Sequence, residues 1–143
     1  GGLPLGAILG SNKVADVWTY GVHGTTFGGN PVACAAGLAV LCAVSSPEMQ
    51  AHINAISEYL FSKLRDFQKK YPVIKEVRGM GLMIGIELHS ESAPVVDAML
   101  AKGVLANATA STVVRILPPF ILSEKEADEF LQIFEEVLST KAD

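Results

Sequence analysis

The stretch His23-Gly24-Thr25-Thr26-Phe27-Gly28-Gly29-Asn30-Pro31 combines three glycines, two threonines and one phenylalanine, and it ends where a helix is predicted to begin. Glycine has no Cβ, so the backbone here can approach a ligand closely. Threonine hydroxyls can donate hydrogen bonds to phosphate or carboxylate oxygens. The loop therefore has the chemistry of a binding site for a small anion.

An apolar helix is predicted over residues 31–44, directly after this loop. Asn30 is a good N-cap and Pro31 suits the first helical position. A helix with no polar face must be enclosed on all sides, which indicates missing structure or a subunit interface. Cys34 and Cys42 would lie about 12 Å apart along it, too far for a disulfide, and are predicted to be packed thiols in a reducing compartment.

The rest of the chain alternates helix and strand signals. A short strand is predicted over 5–9 and a brief helix, capped by Ser11, through Trp18. Further helices are predicted from Pro47 to about residue 70, over 94–102 and after the capping box of Ser123 and Glu126; strands are predicted over 75–78, 82–88, 104–107 and 113–117. This second part is predicted to be a small α+β unit, with helices on one face of a three- or four-stranded sheet.

Composition excludes several functions. The 143 residues carry a net charge of −4 with no basic cluster, so nucleic-acid binding is not expected. The longest apolar run is shorter than the ~20 residues that span a bilayer. The three histidines have no metal-site spacing. The chain lacks a signal peptide and starts at Gly1 without Met, so we expect part of a longer cytoplasmic polypeptide.

Four blocks of sequence, in order, resemble the class III (fold-type I) aminotransferases that use pyridoxal phosphate (PLP). They are Gly1-Gly2-Leu3-Pro4-Leu5-Gly6-Ala7, the loop at 23–31, Arg78-Gly79-Met80-Gly81-Leu82-Met83-Ile84-Gly85-Ile86, and Arg115-Ile116-Leu117-Pro118-Pro119. The resemblance covers essentially the whole chain. It implies an α/β fold in which residues 1–45 end the large PLP-binding domain and residues 46–143 form a linking helix and the small C-terminal domain.

The resemblance also implies an activity and a set of partners. Its closest members transfer an amino group between an N-acylated ornithine and 2-oxoglutarate, in arginine biosynthesis, as homodimers with PLP in the intact dimer. The lysine that holds PLP covalently precedes the Gly-Gly-x-Pro segment in the family, so this chain is expected to contain no catalytic residue and to be inactive alone. Ornithine or 4-aminobutyrate transamination, or a non-catalytic interaction module of the same fold, are the alternatives.

Three residues are expected to contact ligands by the same resemblance. Thr26 would bind the PLP phosphate across the dimer interface, while Thr25 and Arg115 would bind the substrate. Thr25 could equally be a turn hydroxyl. Arg115 stands in an apolar run, where an unpaired cation is costly, and its planar fork suits a carboxylate. Arg78 is expected to make a structural ion pair. The roles of His23 and Phe27 stay open.

Overall fold

The structure is a computed structural model that describes residues 2–140; the interpretation of Gly1 as an internal residue of a longer chain lies outside them. The chain divides into two compact units, Gly1–Ser46 and Pro47–Asp143. The described residues form five helices and four strands. No single helix among them is long and apolar enough to cross a bilayer, and only the helices at 31–44 and 47–70, taken together as a broken pair, pass that test.

The first unit contains helices α1 (Asn12–Ala15) and α2 (Pro31–Val44). The predicted N-cap of α2 is confirmed, because Asn30 Oδ1 accepts a hydrogen bond of 2.9 Å from the backbone N–H of Ala33. Within α2 only Ala33 is buried. Most of this apolar helix is therefore uncovered by residues 2–140.

Three predictions for the first unit are wrong. Residues 5–9 form no strand, since a strand needs a neighbouring strand to bond with and the described residues place none beside them. The helix after Ser11 ends at Ala15, and the Ser11 side chain makes no capping bond. Cys34 and Cys42 are exposed thiols, because no part of the described chain encloses α2.

The second unit is a four-stranded antiparallel sheet with three helices. The long helix α3 (Pro47–Lys70) leads into the hairpin β1 (Ile74–Met80) and β2 (Met83–Leu88). Helix α4 (Ala93–Ala101), strands β3 (Asn107–Thr109) and β4 (Val113–Ile116), and helix α5 (Glu124–Thr140) follow. The strand order is β1-β2-β4-β3, so β4 lies in the interior of the sheet.

One face of this sheet is buried and the other is open. Ile84, Ile86 and Leu88 alternate along β2 with exposed or half-buried residues, as expected for a strand covered on one side. The core beneath them includes side chains of α3, α4 and α5 with almost no exposed surface: Leu60, Leu64, Met99, Phe134, Val137 and Leu138. The predicted mixed α/β fold, with an α+β unit at its C-terminal end, is confirmed.

Several strand boundaries differ from the prediction, most of all in the third strand and at the first hairpin turn. The third strand begins at Asn107 rather than Val104, since residues 104–106 bridge the end of α4 and the sheet. The hairpin turn between β1 and β2 is Gly81-Leu82, because Met80 still pairs with Met83. Gly79 is thus a strand residue, with a φ of +148° and a close contact to the neighbouring strand.

Candidate functional site

The glycine-threonine loop, which leads into helix α2, presents two hydroxyls. Thr25 and Thr26 are exposed, and neither side chain makes a hydrogen bond to another part of residues 2–140. Asn30 fixes the end of the loop, since its Nδ2 donates to the Phe27 carbonyl at 2.9 Å while its Oδ1 caps α2. Free hydroxyls in a loop that leads into a helix suit an anionic group.

Gly28 packs closely against Thr25 within the loop. A Cβ at Gly28 would lie 2.3 Å from Thr25 Cγ2, and the Gly28 N–H donates to the Thr25 carbonyl at 3.4 Å. Thr25, Phe27 and two of the three loop glycines, Gly28 and Gly29, line a hollow of about 390 Å³ together with residues 4–6. Thr26 belongs to the same turn but does not line this hollow.

His23 and Phe27 have distinct surroundings. The His23 ring meets Trp18 edge-on, with ring centroids 5.7 Å apart, and both rings line a separate hollow of about 490 Å³ with residues of α1. Phe27 is 80% exposed at the rim of the loop hollow. His52 places Nε2 3.0 Å from the Leu122 carbonyl oxygen, because α3 runs beside the loop that precedes α5.

The open face of the second unit's sheet carries a row of four aligned residues. Arg78 of β1 pairs with Gly85 of β2, Gly85 pairs with Arg115 of β4, and Arg115 pairs with Asn107 of β3. Arg78 and Arg115 are exposed. Adjacent strands lie about 4.8 Å apart, so the Cα atoms of the two arginines are about 10 Å apart with a glycine between them.

Arg78 is held by carboxylates. Its Nη1 lies 2.5 Å from Glu87 Oε2 and 2.9 Å from Glu76 Oε2, and the other Glu87 oxygen accepts a hydrogen bond from Lys75 at 2.6 Å. The bonds from Lys75 and Arg78 hold the pKa of Glu87 below its usual value. The Glu87 bond likewise raises the pKa of Arg78. The predicted structural ion pair of Arg78 is thus present.

Arg115 is in the opposite situation. Its neighbours Val114 and Ile116 point into the core, whereas Arg115 lies on the open face. Within residues 2–140 its guanidinium makes no ion pair or side-chain hydrogen bond. The strand alternation turns this cation to solvent, so it escapes the cost of an unpaired charge among apolar side chains. An unpaired guanidinium beside a glycine is available for a planar carboxylate.

A buried serine fixes the hairpin that carries Arg115. The turn between β3 and β4 contains two non-glycine residues with positive φ, Ala110 at 48° and Ser111 at 62°. The fully buried Ser92 grips this turn: its N–H and its hydroxyl donate to the Ser111 carbonyl at 2.9 and 3.1 Å. Ser92 therefore anchors the turn through which the chain enters β4.

Among residues 2–140, no three His, Cys, Asp or Glu side chains converge as a metal site would require. The ligand-binding candidates are instead hydroxyl and guanidinium groups. Thr25 and Thr26 lie together in the first unit, and Arg115 lies in the second. Gly85 and Glu87 are two residues of this face that no sequence motif marks as part of a site. One signal could have identified Glu87. It alternates with two buried residues in β2, the strand that forms a hairpin with the strand of Arg78.

Comparison with known proteins identifies the family. The family model of aminotransferase class III matches residues 1–138 of this chain. The chain is 42% identical over 139 residues to the acetylornithine aminotransferase of Methanocaldococcus jannaschii, covering 97% of this chain and 35% of that protein. It is 39% identical over 139 residues to the ornithine aminotransferase of Staphylococcus carnosus, with the same coverage of 97% and 35%. The chain therefore belongs to the class-III aminotransferases.

A solved structure supports the same assignment. The acetylornithine aminotransferase of Elizabethkingia anophelis matches with a TM-score of 0.76 and 28% identity, over 92% of this chain and 34% of that one. The chain thus spans about a third of the length of the curated relatives it matches. Class-III aminotransferases are PLP-dependent, and the unengaged hydroxyls beside the N-terminus of α2 fit the phosphate of that cofactor.

Proposed function

We propose that this chain forms the C-terminal part of a PLP-dependent transaminase that acts on N-acetylornithine, or a succinylated analogue, with 2-oxoglutarate as the amino acceptor. The observation that carries the proposal is the unpaired Arg115 guanidinium on the open sheet face of a class-III aminotransferase chain. The complete enzyme would be a cytoplasmic homodimer in arginine biosynthesis, with residues 1–45 ending its large domain and residues 46–143 forming the linking helix and small domain.

The residues of this chain would bind and orient rather than react. The Thr26 hydroxyl would donate to the PLP phosphate, in the site of the neighbouring subunit. Charge-assisted hydrogen bonds of this kind are roughly twice as strong as neutral ones. PLP, when bound, supplies the electron sink for amino-group transfer. No lysine of this chain stands in the family's cofactor-binding context, so we expect the chain alone to be inactive.

Substrate orientation would come from Arg115 and Thr25. The Arg115 guanidinium can donate two parallel hydrogen bonds to a carboxylate, which fixes direction as well as distance. Thr25 lines the hollow beside the loop, where its hydroxyl could donate to a substrate oxygen. Fixing the substrate in this way lowers the entropy lost on reaching the reacting geometry.

The role of Thr26 is testable in the full-length enzyme. Thr26→Ala removes the hydroxyl, and we expect PLP to dissociate about tenfold more readily, because one charge-assisted hydrogen bond contributes about 1.5 kcal/mol. Thr19→Ala, at an exposed threonine of the same unit, is the matched control. Dialysis followed by cofactor absorbance measures retention. Equal retention in both variants would refute the phosphate role of Thr26.

The role of Arg115 is tested by steady-state kinetics. Arg115→Lys keeps the charge but loses the two-pronged geometry, so KM for the carboxylate substrates should rise about tenfold or more. Arg65→Lys, at an arginine that stacks on Phe61 of α3, is the control. Unchanged KM in Arg115→Lys would contradict the proposal.

Ornithine is the alternative amino donor, favoured by the similarity to the Staphylococcus carnosus protein. Comparing kcat/KM for acetylornithine, ornithine and succinyl-diaminopimelate in the full-length enzyme distinguishes these donors. A preference for free ornithine would replace the acylated substrate in the proposal.

A further inference from the structure

We propose that Glu87 is a specificity-determining positioning residue: by holding Arg78, it limits the open sheet face to one available cation, Arg115, and so to one carboxylate at a time. The inference rests on the proposed role of Arg115 as a carboxylate-binding residue. It concerns a different side chain, in a different strand.

The alignment of the strands creates the need for such a residue. Arg78 and Arg115 flank Gly85 on the same face, and Gly85 has no side chain to separate them. A Cβ at Gly85 would meet only Val113 Cγ1 at 3.4 Å and the Arg78 carbonyl at 3.8 Å. Two unpaired guanidinium groups about 10 Å apart at their Cα atoms would form a clamp for a dicarboxylate.

Glu87 prevents that clamp from forming. Its side chain is only 17% exposed, whereas that of Arg78 is 44% exposed, so the carboxylate is the fixed partner of the pair. Lys75 Nζ lies 2.6 Å from Oε1 while Arg78 Nη1 lies 2.5 Å from Oε2, so the two cations engage both carboxylate oxygens. Glu76 adds a second bond to Arg78 at 2.9 Å.

The local charges then cancel on one side of the row. Lys75 and Arg78 are balanced by Glu76 and Glu87, which leaves the positive charge of Arg115 uncompensated. A second carboxylate of a ligand would meet a cluster without net charge, and the less exposed group of that cluster is the Glu87 carboxylate. The wild-type face therefore offers a dicarboxylate only one cation. Its affinity for a dicarboxylate should exceed its affinity for a monocarboxylate only by the statistical factor of having two carboxylates.

The experiment measures binding of acetate and glutarate to the 143-residue chain. Dissociation constants are read from the side-chain N–H resonances of Arg78 and Arg115 in NMR titrations. We expect wild type to bind the two anions within about threefold of each other. In Glu87→Gln, glutarate should bind about five- to tenfold more tightly than acetate, because one further charge-assisted hydrogen bond becomes available.

Two further variants make the result specific. Arg78→Gln combined with Glu87→Gln should abolish the glutarate preference, which a general structural effect of the Glu87 change would not do. Glu76→Gln, at a 54% exposed side chain, releases Arg78 in part and should shift the preference in the same direction by a smaller factor. An unchanged acetate-to-glutarate ratio in Glu87→Gln overturns the inference, whatever the ratio in Glu76→Gln.

Failure of the proposed function is distinguishable from failure of this inference. Arg115→Gln should weaken acetate binding in every background. If acetate binding to wild type is undetectable or does not depend on Arg115, both the carboxylate role of Arg115 and the role of Glu87 fall. If it depends on Arg115 while the selectivity of Glu87→Gln matches wild type, only the role of Glu87 falls.

Discussion

Replacing Gly79 by alanine should destabilise the second unit far more than the same change two residues later. A Cβ at Gly79 would lie 2.1 Å from the Met83 carbonyl oxygen and 3.1 Å from Ile84 Cα, both backbone atoms of the paired strand. The backbone at Gly79 also has a φ of +148°. At Gly81, with a φ of +56°, an added Cβ would meet no atom within 4 Å.

The magnitude follows from these contacts. A non-glycine residue at such a φ costs about 1–3 kcal/mol. Relieving the overlap with Met83 requires β1 and β2 to separate locally, which disrupts about two ladder hydrogen bonds worth about 0.5–1.5 kcal/mol each. The expected loss for Gly79→Ala is therefore about 2–6 kcal/mol. Gly81→Ala combines a left-handed cost of about 1–2 kcal/mol with a gain of about 0.4–1 kcal/mol from the stiffer unfolded chain.

Urea denaturation of the 143-residue chain, followed by far-ultraviolet circular dichroism, measures the difference. Free energies of unfolding of single domains are about 5–15 kcal/mol. Gly79→Ala should therefore remove a large share of this free energy, while Gly81→Ala should remove about 0–1.6 kcal/mol of it. If the free energy of unfolding falls equally in the two variants, close approach of the strands does not require Gly79. The pairing of Arg78 with Gly85 would then not depend on the close approach of the strands at Gly79.

Three smaller predictions concern the same unit. Ser111→Gly should raise the free energy of unfolding by about 0.5–1 kcal/mol, because glycine adopts positive φ without strain; a lower thermal midpoint would contradict this. Ser92→Ala should lower it by about 1 kcal/mol through loss of the buried hydrogen bond to the Ser111 carbonyl, and a neutral result in urea denaturation would show that the bond from the Ser92 N–H suffices. Hydrogen bonds from Lys70 and Tyr71 lower the pKa of Glu135 below its ordinary 4.5. Its stabilising contribution is therefore present above pH 4.5 and lost as pH falls through the depressed folded-state value. The urea midpoint of Glu135→Gln should fall less than that of wild type between pH 7 and pH 3, and parallel curves would exclude this contribution.

Local signals in the sequence determined much of the fold. The Asn30-Pro31 step fixed the start of α2 because capping and proline geometry are local. The capping box at the start of α5 was predictable for the same reason, and it is present: the Ser123 hydroxyl donates to a Glu126 carboxylate oxygen at 2.6 Å. The four sequence blocks that resemble class III aminotransferases were enough to indicate the family, since they occur in the family's order along the whole chain.

Tertiary structure alone decided which cation is available. Arg78 and Arg115 are far apart in sequence, and only the register that aligns them across Gly85 shows that they share a face. Glu87 reaches Arg78 because the β1–β2 hairpin brings them together, and nothing comparable reaches Arg115 within residues 2–140. Strand pairing is a long-range contact, so the difference between a neutralised and an unpaired arginine emerges only when the sheet is assembled.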